Sequence, residues 1–252
     1  MKPAWLFLAA ASALALPPAA PAQTPAHSAA EILKADRPLQ IDELKTVIAA
    51  AQAAMSGKVV RLSYAPGGPG PEILIGENGR PRYMRGTSGY GDGGGHVDVE
   101  SFTEYTGRAA RKCDGTPLKA ELVVEYERKS IDNRWTVTAR AETSREVLKP
   151  LFDMLAGTAK VELGGVRSFD DRVARALVAP WTPPPGGIGG PPDGTRQSLW
   201  IDTVSLLPLR WSLLLPPSAG VPEIPDYGLS FAYDASLDLR PPDGVPAPDC
   251  VR

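Results

Sequence analysis

The sequence predicts an α+β fold: one large curved antiparallel sheet, a half-barrel, with helices packed on its concave face. Three observations predict it. About ten short segments alternate apolar and polar residues with the period of two that a half-buried strand requires. These segments follow one another through short Gly, Pro and Asn turns, which suit antiparallel neighbours, whereas parallel strands need long crossovers. Only two segments carry the three- and four-residue apolar spacing of an amphipathic helix. A sheet of this many strands twists and cannot stay flat, so it curls, and a helix laid in its concavity buries the apolar face.

The chain starts with Lys2, an apolar run of about a dozen residues from Ala4 to Leu16, the breakers Pro17-Pro18 and the small residues Ala20-Pro21-Ala22. This is the pattern of a secretory leader over 1–22, and its apolar run is shorter than the roughly 20 residues of a membrane span. No cysteine follows to carry a lipid, so the expected product is a soluble protein of a periplasm or the extracellular space, without a transmembrane segment. Residues 23–30 are polar and Ala/Pro-rich and are expected to be a flexible tail. Residues 31–252 are expected to form a single domain.

Asp42 opens the first helical register, in which Leu44, Val47, Ile48, Ala51 and Met55 share a stripe and Gly57 supplies the left-handed stop. Residues 58–64 set Val60, Leu62 and Tyr64 against Val59, Arg61 and Ser63, the alternation of a first strand, and 65–71 is a Pro/Gly turn. Segments 72–76 and 82–85 flank Asn78-Gly79, a hairpin signal. Residues 86–96 are glycine-rich and nearly devoid of apolar side chains, so they read as a loop. A strand over 97–105 follows, and after Gly107-Arg108 a short one carries Cys113. Segments 118–126 and 134–142 pair across 129–133, with Leu122, Val124 and Tyr126 facing Trp135, Val137 and Ala139.

Ser144 caps a second helix over 145–156, with Leu148, Leu151, Phe152 and Leu155 on one side, Gly157 at its end, and Pro150 kinking or delaying it. Strands resume at 160–163 and 172–178. The run Pro-Pro-Pro-Gly-Gly-Ile-Gly-Gly-Pro-Pro inside 181–194 fits neither a helix nor a central strand and reads as a surface loop. The last third holds Leu199-Trp200-Ile201-Asp202, Leu207-Pro208-Leu209-Arg210-Trp211 and Leu229-Ser230-Phe231-Ala232-Tyr233-Asp234, a meander that closes on Pro241-Pro242-Asp243-Gly244-Val245. Leu209, Trp211, Leu213 and Leu215 point one way, Arg210 and Ser212 the other.

This order of elements resembles the envelope carrier superfamily typified by the lipoprotein carrier LolA and the LppX-like lipoproteins. The strand pair over 166–177 around Asp170-Asp171-Arg172 looks like the inner hairpin that precedes the W-I-D strand of those proteins. The likeness is specific from about Val161 onward and holds in element order before it. Two inserted Gly/Pro-rich loops, and the lack of a cysteine for lipidation, depart from the family. The resemblance implies a half-barrel whose interior, lined here by Leu62, Leu122, Val124, Trp135, Val137, Leu199, Ile201, Trp211, Leu213 and Phe231, forms a cavity for acyl chains. The alternative is that these side chains pack on the helices and leave no cavity.

Cys113 and Cys250 are the two cysteines, and in an oxidising compartment an even pair reads as a disulfide, with two unpaired thiols as the alternative. Zinc is disfavoured, because two cysteines without a neighbouring histidine cannot fill four positions. Asp92, His96, Asp98 and Glu100 crowd the glycine loop, but calcium wants six or more oxygens in a repeated frame, so incidental charge is the plainer account. No G-x-S-x-G elbow is present, the two histidines, His27 and His96, lie in the expected tail and the glycine loop, and Asp170-Asp171 reads as a turn, so no catalytic residue, cofactor or metal is expected; a hydrolase is the third class, and it would depend on Asp170 or His96. Arg108, Arg111 and Lys112, and later Arg167, Arg172 and Arg175, read as solvated strand faces or, more sharply, as contacts for an anionic headgroup.

The charge balance is 27 basic against 29 acidic residues, and losing the leader removes Lys2 alone, taking the net charge from -2 to -3. Nucleic acid is therefore not an expected partner. The expected function is non-enzymatic binding of a lipid or hydrophobic ligand in the envelope. The alternative is an envelope interaction module that docks another protein by strand addition or loop insertion.

Overall fold

The computed structural model describes residues 27–65, 71–89, 96–143, 146, 148–158, 160–181, 193–216, 227–233 and 240–252, so the leader expected over 1–22 lies outside them. Eleven strands form one sheet among the described residues: β1 (Val60–Ala65), β2 (Glu72–Ile75), β3 (Pro81–Gly89), β4 (His96–Arg111), β5 (Pro117–Lys129), β6 (Trp135–Glu142), β7 (Glu162–Phe169), β8 (Arg172–Pro180), β9 (Arg196–Asp202), β10 (Pro208–Leu214) and β11 (Tyr227–Ala232). Three helices accompany it, α1 (Ala29–Lys34), α2 (Ile41–Met55) and α3 (Lys149–Ala156).

The strand order is β6-β5-β4-β3-β2-β1-β11-β10-β9-β8-β7, and every neighbouring pair is antiparallel. The chain lays strands outward from β1 to β6, passes through α3 to the far edge, and returns inward from β7 until β11 pairs with β1. The sheet does not close on itself. Register shifts interrupt β2–β3, β4–β5, β7–β8 and β9–β10, and each such bulge bends a strand and adds twist. The expected α+β half-barrel is the fold observed.

Local differences from expectation have local causes. The segment expected to be a flexible tail over 23–30 ends in a helix start, because Ser28 and Glu31 form a reciprocal capping box at the head of α1. In α2 the expected stripe of Leu44, Val47, Ile48, Ala51 and Met55 is buried, but the cap is Gln40 rather than Asp42, with Glu43 reaching back to the Gln40 N–H at 3.0 Å. Gly57 then turns the chain at φ 71°. The glycine segment over 86–96 gives its first four residues to β3, because a strand at this position needs backbone partners rather than apolar side chains. The two strands expected around Gly107 are one 16-residue strand, β4, bulged between Tyr105 and Arg111. Helix α3 starts at Lys149 with Pro150 in its first turn, where a missing N–H breaks no helical bond; the expected cap Ser144 lies outside the described residues. On β10, Arg210 and Ser212 are as buried as their apolar neighbours, so this strand is covered on both faces.

The main core lies between the helices and one face of the sheet. Ile32 and Leu33 of α1, the α2 stripe, and Phe152 and Leu155 of α3 pack on Val60, Leu62, Ile75, Leu177, Leu199, Ile201 and Phe231. Burying one such side chain is worth about 1.5–3 kcal/mol, so this cluster dominates the stability of the fold. Gly228 has a packing reason: a Cβ there would stand 2.0 Å from the Trp211 carbonyl oxygen, so only glycine lets β10 and β11 approach.

Candidate ligand cleft

Cross-strand partners share a face, so the register states where each side chain stands. Phe231, Leu62, Ile73, Met84, Ser101, Glu127 and Thr136 form one row from β11 to β6, on the helix-bearing face. The adjacent row, Leu74, Tyr83, Phe102, Tyr126 and Val137, stands on the opposite face. The ten residues named from the sequence are thereby divided. Leu62, Leu199, Ile201, Trp211, Leu213 and Phe231 belong to the helix-bearing face, where all but Leu213 pack in the main core. The Trp211 indole N–H donates to the Gln197 side-chain amide oxygen, Oε1, at 3.3 Å.

Leu122, Val124, Trp135 and Val137 stand on the opposite face. There Val124 forms a small second core with Phe102 and Tyr126, onto which Trp135, Val137 and Val245 pack. Val245 arrives on the C-terminal segment, which Cys113 and Cys250 tie down by the expected disulfide. Backbone bonds reinforce the tie: the Val251 N–H donates to the Arg111 carbonyl at 2.8 Å and the Cys113 N–H to the Val251 carbonyl at 3.0 Å. Arg111 also meets Asp249 at 3.0 Å.

An open space on the helix-bearing side lies at a seam that none of the ten residues lines. Where the end of α2, the start of α3 and the β2–β3 turn meet, there is an open cleft of about 490 Å³. Its floor is apolar, formed by Met55, Val60, Ile75, Leu148 and Phe152. Its rim carries two cations and two anions, Lys58, Lys149, Glu77 and Glu146, beside the polar Gln52, Ser56 and Asn78. Lys149 is also held by Asp153 at 2.7 Å, which raises its pKa above the usual lysine value. The volume lies within the roughly 300–1,000 Å³ of small-molecule clefts, with seven polar side chains around five apolar ones, a more polar lining than the usual ligand pocket. Sequence signals for it existed in pieces: Met55 in the helical stripe, Val60 in the first strand and the Asn78-Gly79 turn. Their meeting depends on how α3 crosses the sheet, which no local spacing encodes.

The remaining sequence-level candidates have structural partners. In the W-I-D strand, Asp202 accepts the Val204 N–H at 2.7 Å and the Ser205 N–H at 3.1 Å and so builds the β9–β10 turn. Burial alone would raise its pKa; these donors outweigh burial and hold the carboxyl below the usual aspartate value. Tyr233 donates to the Pro208 carbonyl at 2.6 Å, and burial pushes its phenol well above the ordinary tyrosine value. Glu100, one member of the acidic glycine-loop group, pairs with Arg128 and accepts the Tyr83 hydroxyl at 3.1 Å, while Asp92 lies outside the described residues. Arg175 reaches Asp36 at 3.9 Å, and Arg167 lies over the Phe169 ring. Asp170 occupies the β7–β8 turn at φ 53°. Among the described residues no group of three or more His, Cys, Asp or Glu is placed to hold a metal ion, and no helix is long and apolar enough to cross a membrane.

No protein-family model matches the chain, and no curated protein matches it. Among solved structures it is similar to the Mycobacterium tuberculosis lipoprotein LppX, at 14% identity and a TM-score of 0.41, over 79% of this chain and 99% of that one. It is also similar to LprF from Mycobacterium bovis, at 12% identity and a TM-score of 0.38, over 80% of this chain and 97% of that one. A third similarity is to MucB in complex with MucA(peri), at 15% identity and a TM-score of 0.26, over 76% of this chain and 54% of that one.

Proposed function

We propose that this chain is an exported, non-enzymatic envelope protein that binds a lipid or another molecule with an apolar chain. The observation that carries the reading is the cleft of about 490 Å³ at the helix–sheet seam, with an apolar floor and a charge-balanced rim. An apolar chain would lie on the floor of Met55, Val60, Ile75, Leu148 and Phe152, and the rim offers both signs of charge to a headgroup. The secretory leader read over 1–22 supports placement in a periplasm or outside the cell. In this reading Leu62, Leu199, Ile201, Trp211 and Phe231 serve the main core on the same face of the sheet, and neither they nor Leu213 line the cleft. Leu122, Val124, Trp135 and Val137, across the sheet, would take part only if the C-terminal segment moved aside.

Native mass spectrometry of the chain purified from its own envelope, followed by organic extraction, tests this. Bound acyl lipid is expected, and Gln52→Trp, which places a bulky ring at the cleft mouth from an exposed helical position, is expected to lower its occupancy. A lipid-free mass from native membranes, or lipid retained unchanged in Gln52→Trp, refutes this site. A single stoichiometric protein partner captured without lipid would favour the interaction-module reading.

A further inference from the structure

We propose that β7 is a self-complementary edge through which two copies of this chain join their sheets. Strand β7 is one end of the strand order, so among the described residues no strand pairs with its outer side. Its sequence, Glu162-Leu163-Gly164-Gly165-Val166-Arg167, reads as a charge palindrome: acid, apolar, Gly-Gly, apolar, base.

In a regular strand that palindrome would be useless. A two-fold axis perpendicular to a sheet preserves faces, so paired residues must point the same way, whereas residues five apart alternate. The bulge in β7 repairs the parity. Leu163 stands opposite Leu177 and Val166 opposite Arg175, so Gly164 and Gly165 together span one position. Glu162, opposite Val178, and Arg167, opposite Ala174, therefore share one face, and Leu163 and Val166 share the other. An axis between Gly164 and Gly165 then sets Glu162 against Arg167 of the second copy, Arg167 against its Glu162, and each Leu163 against a Val166.

The same corner is unusually apolar for a surface. Val166 is 57% exposed and Val173, on the adjoining strand and the same face, 46%. Val204 is 79% exposed and follows Thr203, whose N–H donates to the Val173 carbonyl. Glu162 already meets Arg196 at 3.2 Å, but both side chains are more than half exposed, and such pairs exchange partners at little cost. The other edge lacks this arrangement. On β6 the acid–base match is Arg140 with Glu142, at the strand end, and Arg140 also meets Glu125.

Sedimentation velocity on the disulfide-bonded chain, over a concentration series, tests the proposal. A monomer–dimer equilibrium is expected. Glu162→Arg and Arg167→Glu should each weaken it by about tenfold or more, and the double swap, which restores the complementarity, should recover it. Circular dichroism keeps a folding defect apart from lost association. Hydrogen exchange should show β7 amides gaining protection with concentration while β6 amides do not. A chain that stays monomeric throughout, a dimer indifferent to both single swaps, or protection gained at β6 instead would overturn it.

Discussion

The two halves of this sheet solve the same problem differently. In the half formed by β8 to β11 with β1 and β2, the apolar side chains face three helices, and the core is large. In the wing formed by β3 to β6, the apolar cluster lies on the other face, and its cover is a short C-terminal segment holding one Val245 against Phe102, Val124 and Tyr126, while Val97 and Val123 are buried on the helix-bearing face. Within β2 both faces are covered: consecutive residues Leu74 and Ile75 are 5% and 0% exposed on opposite faces, and Ile75 packs in the main core. The wing adds ion pairs, Arg80 with Glu121 at 2.5 Å and Arg128 with Glu100, and guanidinium groups over Tyr105, Phe102 and Trp135. A covalent tie stands in here for apolar mass. Where helices supply the cover no cross-link is found among the described residues, and where a tail supplies it the tail is bonded in place.

Cavities cut into each half should separate them most. Leu199→Ala, between Leu177 and Trp211, should cost about 3–5 kcal/mol by chemical denaturation, and Leu122→Ala in the wing about 2–3 kcal/mol. Equal costs would mean that the halves are equally well packed. Next, Cys250→Ser should cost about 2–4 kcal/mol, because the bond closes a loop spanning 137 positions. Its signature should be local: Trp135 fluorescence shifts to the red while the helical circular dichroism stays put, and a loss of helix instead would show that the tail supports both halves. Val245→Asp, with the disulfide intact, should cost about 1–2 kcal/mol and shift the same emission less.

The smallest effect belongs to the helix-covered half and depends on pH. The Arg37 guanidinium and the Gln40 N–H hold Glu43 at about 2, below its ordinary 4.5. A lowered folded-state value means that its contribution to the start of α2 is present above about pH 4.5 and is lost as the pH falls toward 2. Glu43→Gln should flatten that part of the acid profile and leave wing probes unchanged. An identical profile in the variant would remove Glu43 from the account.

Strand and helix positions were readable because their signals are local: alternation for the strands of both meanders, the stripe of α2, the turn at Asn78-Gly79. Even the disulfide followed from arithmetic on two cysteines. The assignment of faces was not readable, since alternation says that Val124 and Leu199 each point to one side but not that the two sides differ. That relation is carried by the seven successive pairings from β5 to β9 and their bulges. The cleft was hidden for a related reason: its floor joins residues from α2, β1, β2 and α3, and only the crossing of α3 brings them together. Helix α1 was a nearer miss, as Ser28 and Glu31 spell its capping box outright.

The pairing of β1 with β11 carries a consequence for the order of assembly. As the chain emerges from its amino terminus, β1 to β6 can zip as a local meander, yet the open side of β1 must wait for the strand that ends at Ala232. The last strand made completes the middle of the sheet rather than its rim. Until it arrives, the nascent protein presents a raw strand edge at its centre, which is the interval in which a misplaced neighbour does most harm.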